Sequence, residues 1–165
     1  MGVKEAVISL GIGGSLGFLC ERLAEMPELA KTVSELIKNN PPIALMTAHV
    51  QFPEIDSAPA TLSSFFLSTY LRGTLGYNGL IITDDMIMRA VTSEITSDVA
   101  TLKALSAGAD VILFAAEPEK VTIAISSIIA AVESGTLPLE RIDDSYRRIK
   151  KFKSTLGTTT VTVLD

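Results

Sequence analysis

Two adjacent aspartates follow a short apolar run in Leu80-Ile81-Ile82-Thr83-Asp84-Asp85-Met86. Setting two carboxylates beside a buried segment is costly unless they are paired or put to use. One reading is chemical: one of them attacks or stabilises an electron-poor centre. Side chains alternate along a strand, so one acid can face an open site while its neighbour turns toward a loop or helix start. The other reading is structural: one aspartate caps a helix beginning near Met86 and the other is solvated. His49, the single histidine, closes Leu45-Met46-Thr47-Ala48-His49. It is either an acid/base group or substrate contact, or a ring hydrogen-bonded at a strand end. Ala115-Ala116-Glu117 follows a third apolar run in the same way. Gly11-Ile12-Gly13-Gly14-Ser15 has neither the dinucleotide nor the P-loop spacing and reads as a turn.

These clusters gain meaning from the elements before them. Ile43-Ala44-Leu45-Met46, Leu80-Ile81-Ile82 and Val111-Ile112-Leu113-Phe114 show no polar alternation, which predicts parallel strands buried on both faces. Ala6-Val7-Ile8-Ser9-Leu10 is a candidate fourth. Helical stripes lie between and after them: Leu29, Val33, Leu36 and Ile37; Phe66, Leu67, Tyr70 and Leu71; Leu102, Leu105 and Ala109; Ile125, Ile128, Ile129 and Val132. A last helix opens at Pro138 with Ile142, Tyr146, Ile149 and Phe152 inward and ends at Gly157. Strand starts recur about every 30–35 residues, the length of a βαβ unit. The expectation is an α/β fold, a partial (β/α)8 TIM-type barrel of about three to four βα units. A complete barrel takes about 250 residues; this chain has 165. In such folds ligands meet the carboxyl ends of the strands, where the three polar clusters lie.

Composition narrows the chemistry. The chain is 47% hydrophobic and 20% charged, as expected of a globular domain. A net charge of −5 argues against nucleic acid as a partner. Lys150, Lys151 and Lys153 suit the end of a helix, where cations complement the dipole. One cysteine, Cys20, rules out an internal disulfide and favours a reducing, cytoplasmic setting. One cysteine and one histidine cannot supply a structural zinc site, and no cofactor is expected. The apolar stretch 6–20 is too short to span a bilayer and reads as buried structure rather than a signal peptide. No membrane partner is expected.

Longer motifs carry a family resemblance. Leu45-Met46-Thr47-Ala48-His49-Val50, Phe52-Pro53, Asp56 and Pro59-Ala60-Thr61-Leu62-Ser63 resemble family 3 glycoside hydrolases, in their β-N-acetylglucosaminidase (β-hexosaminidase) branch. So do Leu71-Arg72-Gly73-Thr74-Leu75-Gly76-Tyr77-Asn78-Gly79 and the aspartate segment after it. Lys103-Ala104-Leu105, Ala107-Gly108-Ala109-Asp110, Arg141-Ile142-Asp143-Asp144-Ser145 and Arg147-Arg148-Ile149 fit the same pattern. Thr74 departs from it, since an acid or amide is usual there. The resemblance implies one truncated barrel domain over 1–165, with a poorly matched segment 1–40, a family-like region 41–157 and a tail 158–165. It implies that Asp84 is the nucleophile of a retaining hydrolysis through a glycosyl–aspartate. His49, Asp85 and Met86 become candidates for the sugar pocket, and a β-linked amino sugar the expected ligand.

The departures bear on activity. The branch takes its acid/base from an Asp-x-His pair and binds sugar through a Lys-His pair, and this sequence holds neither. Losing acid assistance costs about 100- to 10,000-fold, so the isolated chain is expected to be inactive or weak. Open sheet edges invite pairing, and a homodimer of half-barrels is expected to close the barrel. Two rival readings stay open: a non-catalytic relative that binds a carbohydrate or protein, and a magnesium-dependent phosphoryl-transfer domain using Asp84 and Asp85.

Overall fold

Three of the apolar runs form strands: β1 (Ala44–Met46), β2 (Leu80–Asp85) and β3 (Val111–Leu113). These come from a computed structural model that describes residues 44–155 and, before them, Glu35. The candidate strand at 6–10, the glycine-rich turn at 11–15, Cys20, the tail and, apart from the helical Glu35, the helix expected around 29–37 lie outside the described residues. The strands pair in parallel in the order β1-β2-β3, with Leu45 opposite Ile81 and Ile82 opposite Val111. Neighbours in sequence are neighbours in the sheet, as in an arc of a (β/α) barrel; a doubly wound sheet reverses its order. β2 outruns its apolar core. It continues through Thr83, Asp84 and Asp85, so the acids lie in the strand end rather than beyond it. Only β2 is deeply buried. β1 and β3 are half-buried, with Met46 exposed, because each flanks the arc.

The connection from β1 to β2 is a 3-10 turn (Ala60–Leu62) and a wide π-type helix (Phe65–Thr74). Leu75 N–H donates to the Tyr70 carbonyl five residues back, at 2.9 Å, which is the π spacing. Helices α1 (Arg89–Thr92) and α2 (Ser97–Ala107) lead to β3, and α3 (Pro118–Glu133) and α4 (Leu139–Thr155) follow it. The main core joins Phe66, Leu67, Tyr77, Ile81, Met86 and Val91 with the alanines of α2. Gly108 ends α2 at φ +126°. A Cβ there would lie 2.9 Å from Ser68 Oγ and 3.3 Å from Leu67 Cβ, so both conformation and space require glycine.

Two expected helix faces are corrected. Ile125 and Ile129 are 52% and 53% exposed, not buried. The helix α3 lies against α2 through its small residues, with Ala124 and Ala131 buried and Ile128 and Val132 at the margin. Tyr146 is likewise 58% exposed, and Ser145 takes the inward position instead. The cause is electrostatic: α4 turns Arg141, Ser145 and Arg148 toward one buried acid.

That acid is Asp110, just before β3, with its carboxylate fully buried. Arg72 reaches Oδ2 at 2.5 Å, Arg148 reaches Oδ1 at 3.1 Å and Arg141 reaches Oδ1 at 3.3 Å. Ser145 Oγ–H donates to Oδ1 at 2.9 Å and the Ile81 N–H to Oδ2 at 3.0 Å. One carboxylate thus joins β2, the π-type helix, the start of β3 and α4. Removing one partner of a buried ion network strands the others. Asp110→Asn is therefore expected to lower unfolding stability by about 3–5 kcal/mol, read as a lower urea midpoint at unchanged slope.

Candidate functional site

The carboxyl ends of the strands hold Thr83, Asp84 and Asp85. Here the β2–β3 ladder slips: Ile82 faces Val111, yet Asp85 faces Leu113, so β2 carries one extra residue. Such bulges re-aim side chains and recur beside active sites. Side chains repair the ladder. Thr83 Oγ1, buried, accepts the Leu113 N–H at 2.9 Å. Asp85 Oδ1 accepts the N–H groups of Ala115 at 3.1 Å and Ile87 at 3.3 Å. The Met86 N–H returns to the Leu113 carbonyl at 3.0 Å.

Asp84 is treated differently from its neighbour. It is half-buried. Its Oδ1 accepts the Asp85 N–H at 2.8 Å, and its Oδ2 has no hydrogen-bond partner among the described residues. Neither aspartate caps a helix. The helix α1 begins at Arg89 with Met88 at its cap position and no side-chain cap bond. One carboxylate therefore ties the strand end together and the other is held by a single amide with a free oxygen. An oriented, partly desolvated carboxylate of this kind can attack an electron-poor carbon.

His49 comes to the same tip from the segment after β1. Nδ1 lies 3.0 Å from Thr61 Oγ1 and Nε2 lies 3.0 Å from the Asp85 carbonyl. Thr61 Oγ1 is in turn 2.8 Å from Thr47 Oγ1. Both ring nitrogens are occupied, so the ring braces the strand end. Met86 has no exposed surface and packs in the main core; its side chain supports the site from behind. Glu117, from the third cluster, is exposed and pairs with Lys120 at 2.9 Å. It is the one described non-glycine residue at positive φ, 56°. The magnesium reading is not favoured. Asp85 Oδ1 is taken by two amides, and no group of three His, Cys, Asp or Glu side chains able to hold a metal occurs among the described residues. The sequence reading passed over the bracing role of Thr47 and Thr61; their signal is two hydroxyls flanking the lone histidine in an apolar setting.

Comparison with known proteins gives one consistent picture. The family model described as "Glycosyl hydrolase family 3 N terminal domain" matches residues 28–152. Beta-hexosaminidase A of Pseudoalteromonas piscicida is 30% identical over 141 residues, covering 74% of this chain and 24% of that protein. A glycoside hydrolase family 3 β-N-acetylglucosaminidase from a Paenibacillus species superposes with a TM-score of 0.72 at 35% identity, over 85% of this chain and 28% of that one. The β-N-acetylglucosaminidase of Thermotoga maritima gives 0.73 at 28% identity, over 81% and 29%. The chain thus spans between 24% and 29% of the length of these three relatives.

The loop that carries His49 has its own anchor. Asp56 Oδ2 accepts the Ser63 hydroxyl at 2.5 Å, and Oδ1 accepts the Ala58 N–H at 3.0 Å. Ser63 Oγ also accepts the Phe66 N–H at 3.2 Å. The Ser63 bond first, then the Ala58 amide, holds the Asp56 pKa below the ordinary value of 3.8. A depressed folded pKa stabilises the fold above the unfolded value and ceases to do so as pH falls through the folded one. Acid melts are therefore expected to lose a component below about pH 4 that Asp56→Asn lacks at every pH. Equal acid sensitivity in both proteins, read by circular dichroism, would refute this.

Proposed function

Because the chain belongs to glycosyl hydrolase family 3, we propose that Asp84 is the nucleophile of a retaining hydrolysis of β-linked N-acetylhexosaminides. The carrying observation is the Asp84 carboxylate at the tip of β2, with one oxygen oriented by the Asp85 N–H and the other without a partner among the described residues. In this reading an Asp84 oxygen bonds to the anomeric carbon as the bond to the leaving oxygen breaks. Water then attacks the glycosyl–aspartate, a base takes its proton, and the free carboxylate returns. The sugar class rests on the relatives, a β-hexosaminidase and two β-N-acetylglucosaminidases.

Protonation of the leaving group needs a second residue. His49, the sole histidine, is committed to Thr61 and to the Asp85 carbonyl. In this reading the acid comes from outside the chain, and the chain alone is slow on ordinary glycosides. An aryl glycoside whose phenolate leaves unprotonated bypasses the cost of about 100- to 10,000-fold. Release of 2,4-dinitrophenolate from its β-N-acetylglucosaminide is therefore expected from the unchanged chain. Asp84→Ala should reduce it about a thousandfold or more. N-acetylglucosamine binding without any phenolate release would favour a carbohydrate-binding relative instead.

A second copy of the chain is the proposed barrel partner, in a reducing cytoplasmic setting that suits one cysteine. Two features support this. Among the described residues β1 and β3 each pair on one side only, and exposed strand edges favour pairing. Ile125, Ile129 and Tyr146 add exposed apolar surface. Sedimentation velocity at micromolar concentration is expected to show a dimer. A folded monomer would overturn this pairing and leave the Asp84 chemistry to its own test.

A further inference from the structure

Asp85 lies at the centre of the strand tip and is bound through its main chain as well as its side chain. Its N–H orients Asp84 Oδ1 at 2.8 Å. Its carbonyl accepts from His49 Nε2 at 3.0 Å and from the Met88 N–H at 3.1 Å. Its Oδ1 holds Ile87 and Ala115. The N–H that aims Asp84 and the carbonyl that His49 grips flank the same Cα. Two backbone dihedrals separate them, so fixing the carbonyl restricts the direction of the N–H.

We propose that His49 is a positioning residue for Asp84, acting through the Asp85 main chain and never touching the reacting carbon. This rests on the reading of Asp84 as nucleophile. The donor directions support it. A carbonyl only accepts, so Nε2 carries a hydrogen. In the neutral ring Nδ1 then accepts the Thr61 hydroxyl hydrogen, and Thr61 Oγ1 accepts from Thr47. The bonds run head to tail from Thr47 through Thr61 and His49 to Asp85. Thr47 and Thr61 are buried and His49 is half-buried, and a connected chain of hydrogen bonds in such a setting is stiff. It links the segment after β1 to the tip of β2 across 36 residues of sequence. His49 therefore supplies rigidity, and a side chain with a correctly placed donor replaces it better than an apolar one of equal size.

The test reads the Asp85 amide directly, by hydrogen exchange in the full chain, with the Ile81 amide as the internal reference for global opening. In His49→Phe the Asp85 amide is expected to exchange about tenfold or more faster relative to Ile81. His49→Gln, which keeps an N–H donor, should stay within about threefold of the unchanged chain. Thr61→Val removes the hydroxyl behind the ring and carries the measurement should His49→Phe not fold; it too should accelerate Asp85 selectively. Equal protection of Asp85 in His49→Phe, or in Thr61→Val if that variant is used, overturns the proposal. So does an equal loss in His49→Gln and His49→Phe. A parallel reaction with an activated fluorosugar separates the two levels. Labelling of Asp84 slowed in step with the exchange supports both. No labelling of the unchanged chain sinks the nucleophile reading, and the exchange data still decide the role of His49.

Discussion

A carboxylate without exposed surface, Asp110, gathers the guanidiniums of Arg72, Arg141 and Arg148 around itself. Taking these charges from water is expensive, and their mutual attraction offsets the cost only when the remaining donors are also satisfied. Here they are widely used. Arg72 donates to the carbonyls of Tyr77 and Gly79, and Arg141 to those of Leu105 and Ala109. Burial pulls the Arg72 pKa below its usual value, and Asp110 opposes that shift. Such a network contributes little net stability compared with an apolar core of the same size. Its value here is register. The Ile81 N–H and the Arg72, Arg141, Ser145 and Arg148 side chains meet one carboxylate only when β2, the π-type helix and α4 adopt one arrangement.

The network sits at the amino ends of the strands, and this position matters. In barrels the amino-end face maintains the fold while the carboxyl-end face holds the chemistry. With β2 and β3 clamped before Val111, their far ends can depart from regular pairing without loosening the sheet. They do depart: β2 carries an extra residue between its pairings with Val111 and Leu113. Thr83 Oγ1 takes over as acceptor for the β3 amide of Leu113, and Asp85 Oδ1 for the amide of Ala115 just beyond β3. The two adjacent acids thereby acquire different environments, one tying the strand end together and the other keeping an oxygen without a partner among the described residues, although sequence position alone makes them equivalent.

Much of this was legible in the residues, for identifiable reasons. The strand centres were legible because a buried parallel strand must be continuously apolar. The polar groups after these runs were legible as a cluster, but their division of labour was not: Thr83, Asp85 and His49 all take structural bonds there, and only Asp84 keeps an oxygen without a partner among the described residues. The faces of α3 and α4 were not legible either. Periodicity shows that Ile125 and Ile129 share a stripe, but Ala124 and Ala131 give the closer approach to α2 and so take the inward side. Around Tyr146 the demand of Asp110 for Arg141, Ser145 and Arg148 outweighs the apolar stripe. A long-range charge contact leaves no periodic trace. The π-type turns of Phe65–Thr74 and the bulge at Thr83-Asp84 are set by fit to neighbours, and propensity carries no record of them. The resemblance singles out Asp84 as a candidate; the fold alone brings the Asp85 N–H to it and His49 to the Asp85 carbonyl.

The hydrogen bonds around the tip of β2, of which the Asp85 N–H alone reaches Asp84, belong to a compact set: Thr47, His49 and Thr61 on one side, Thr83 to Met88 in the middle, and Leu113 to Ala115 on the other. Each bond runs within or between adjacent strands and their loops. Orientation of a carboxylate is therefore a short-range property of neighbouring βα units, fixed by three strands and one bulge. Acid assistance is different in kind, because a retaining glycosidase places its acid about 5–5.5 Å from the nucleophile, across the bond that breaks. On the proposed reading of Asp84, a chain spanning 24–29% of its relatives holds the attacking carboxylate in a defined geometry while the rest of the reaction depends on what faces it. Under that reading, orientation of the carboxylate and completeness of the site are separable, and this arc of strands accounts for the first.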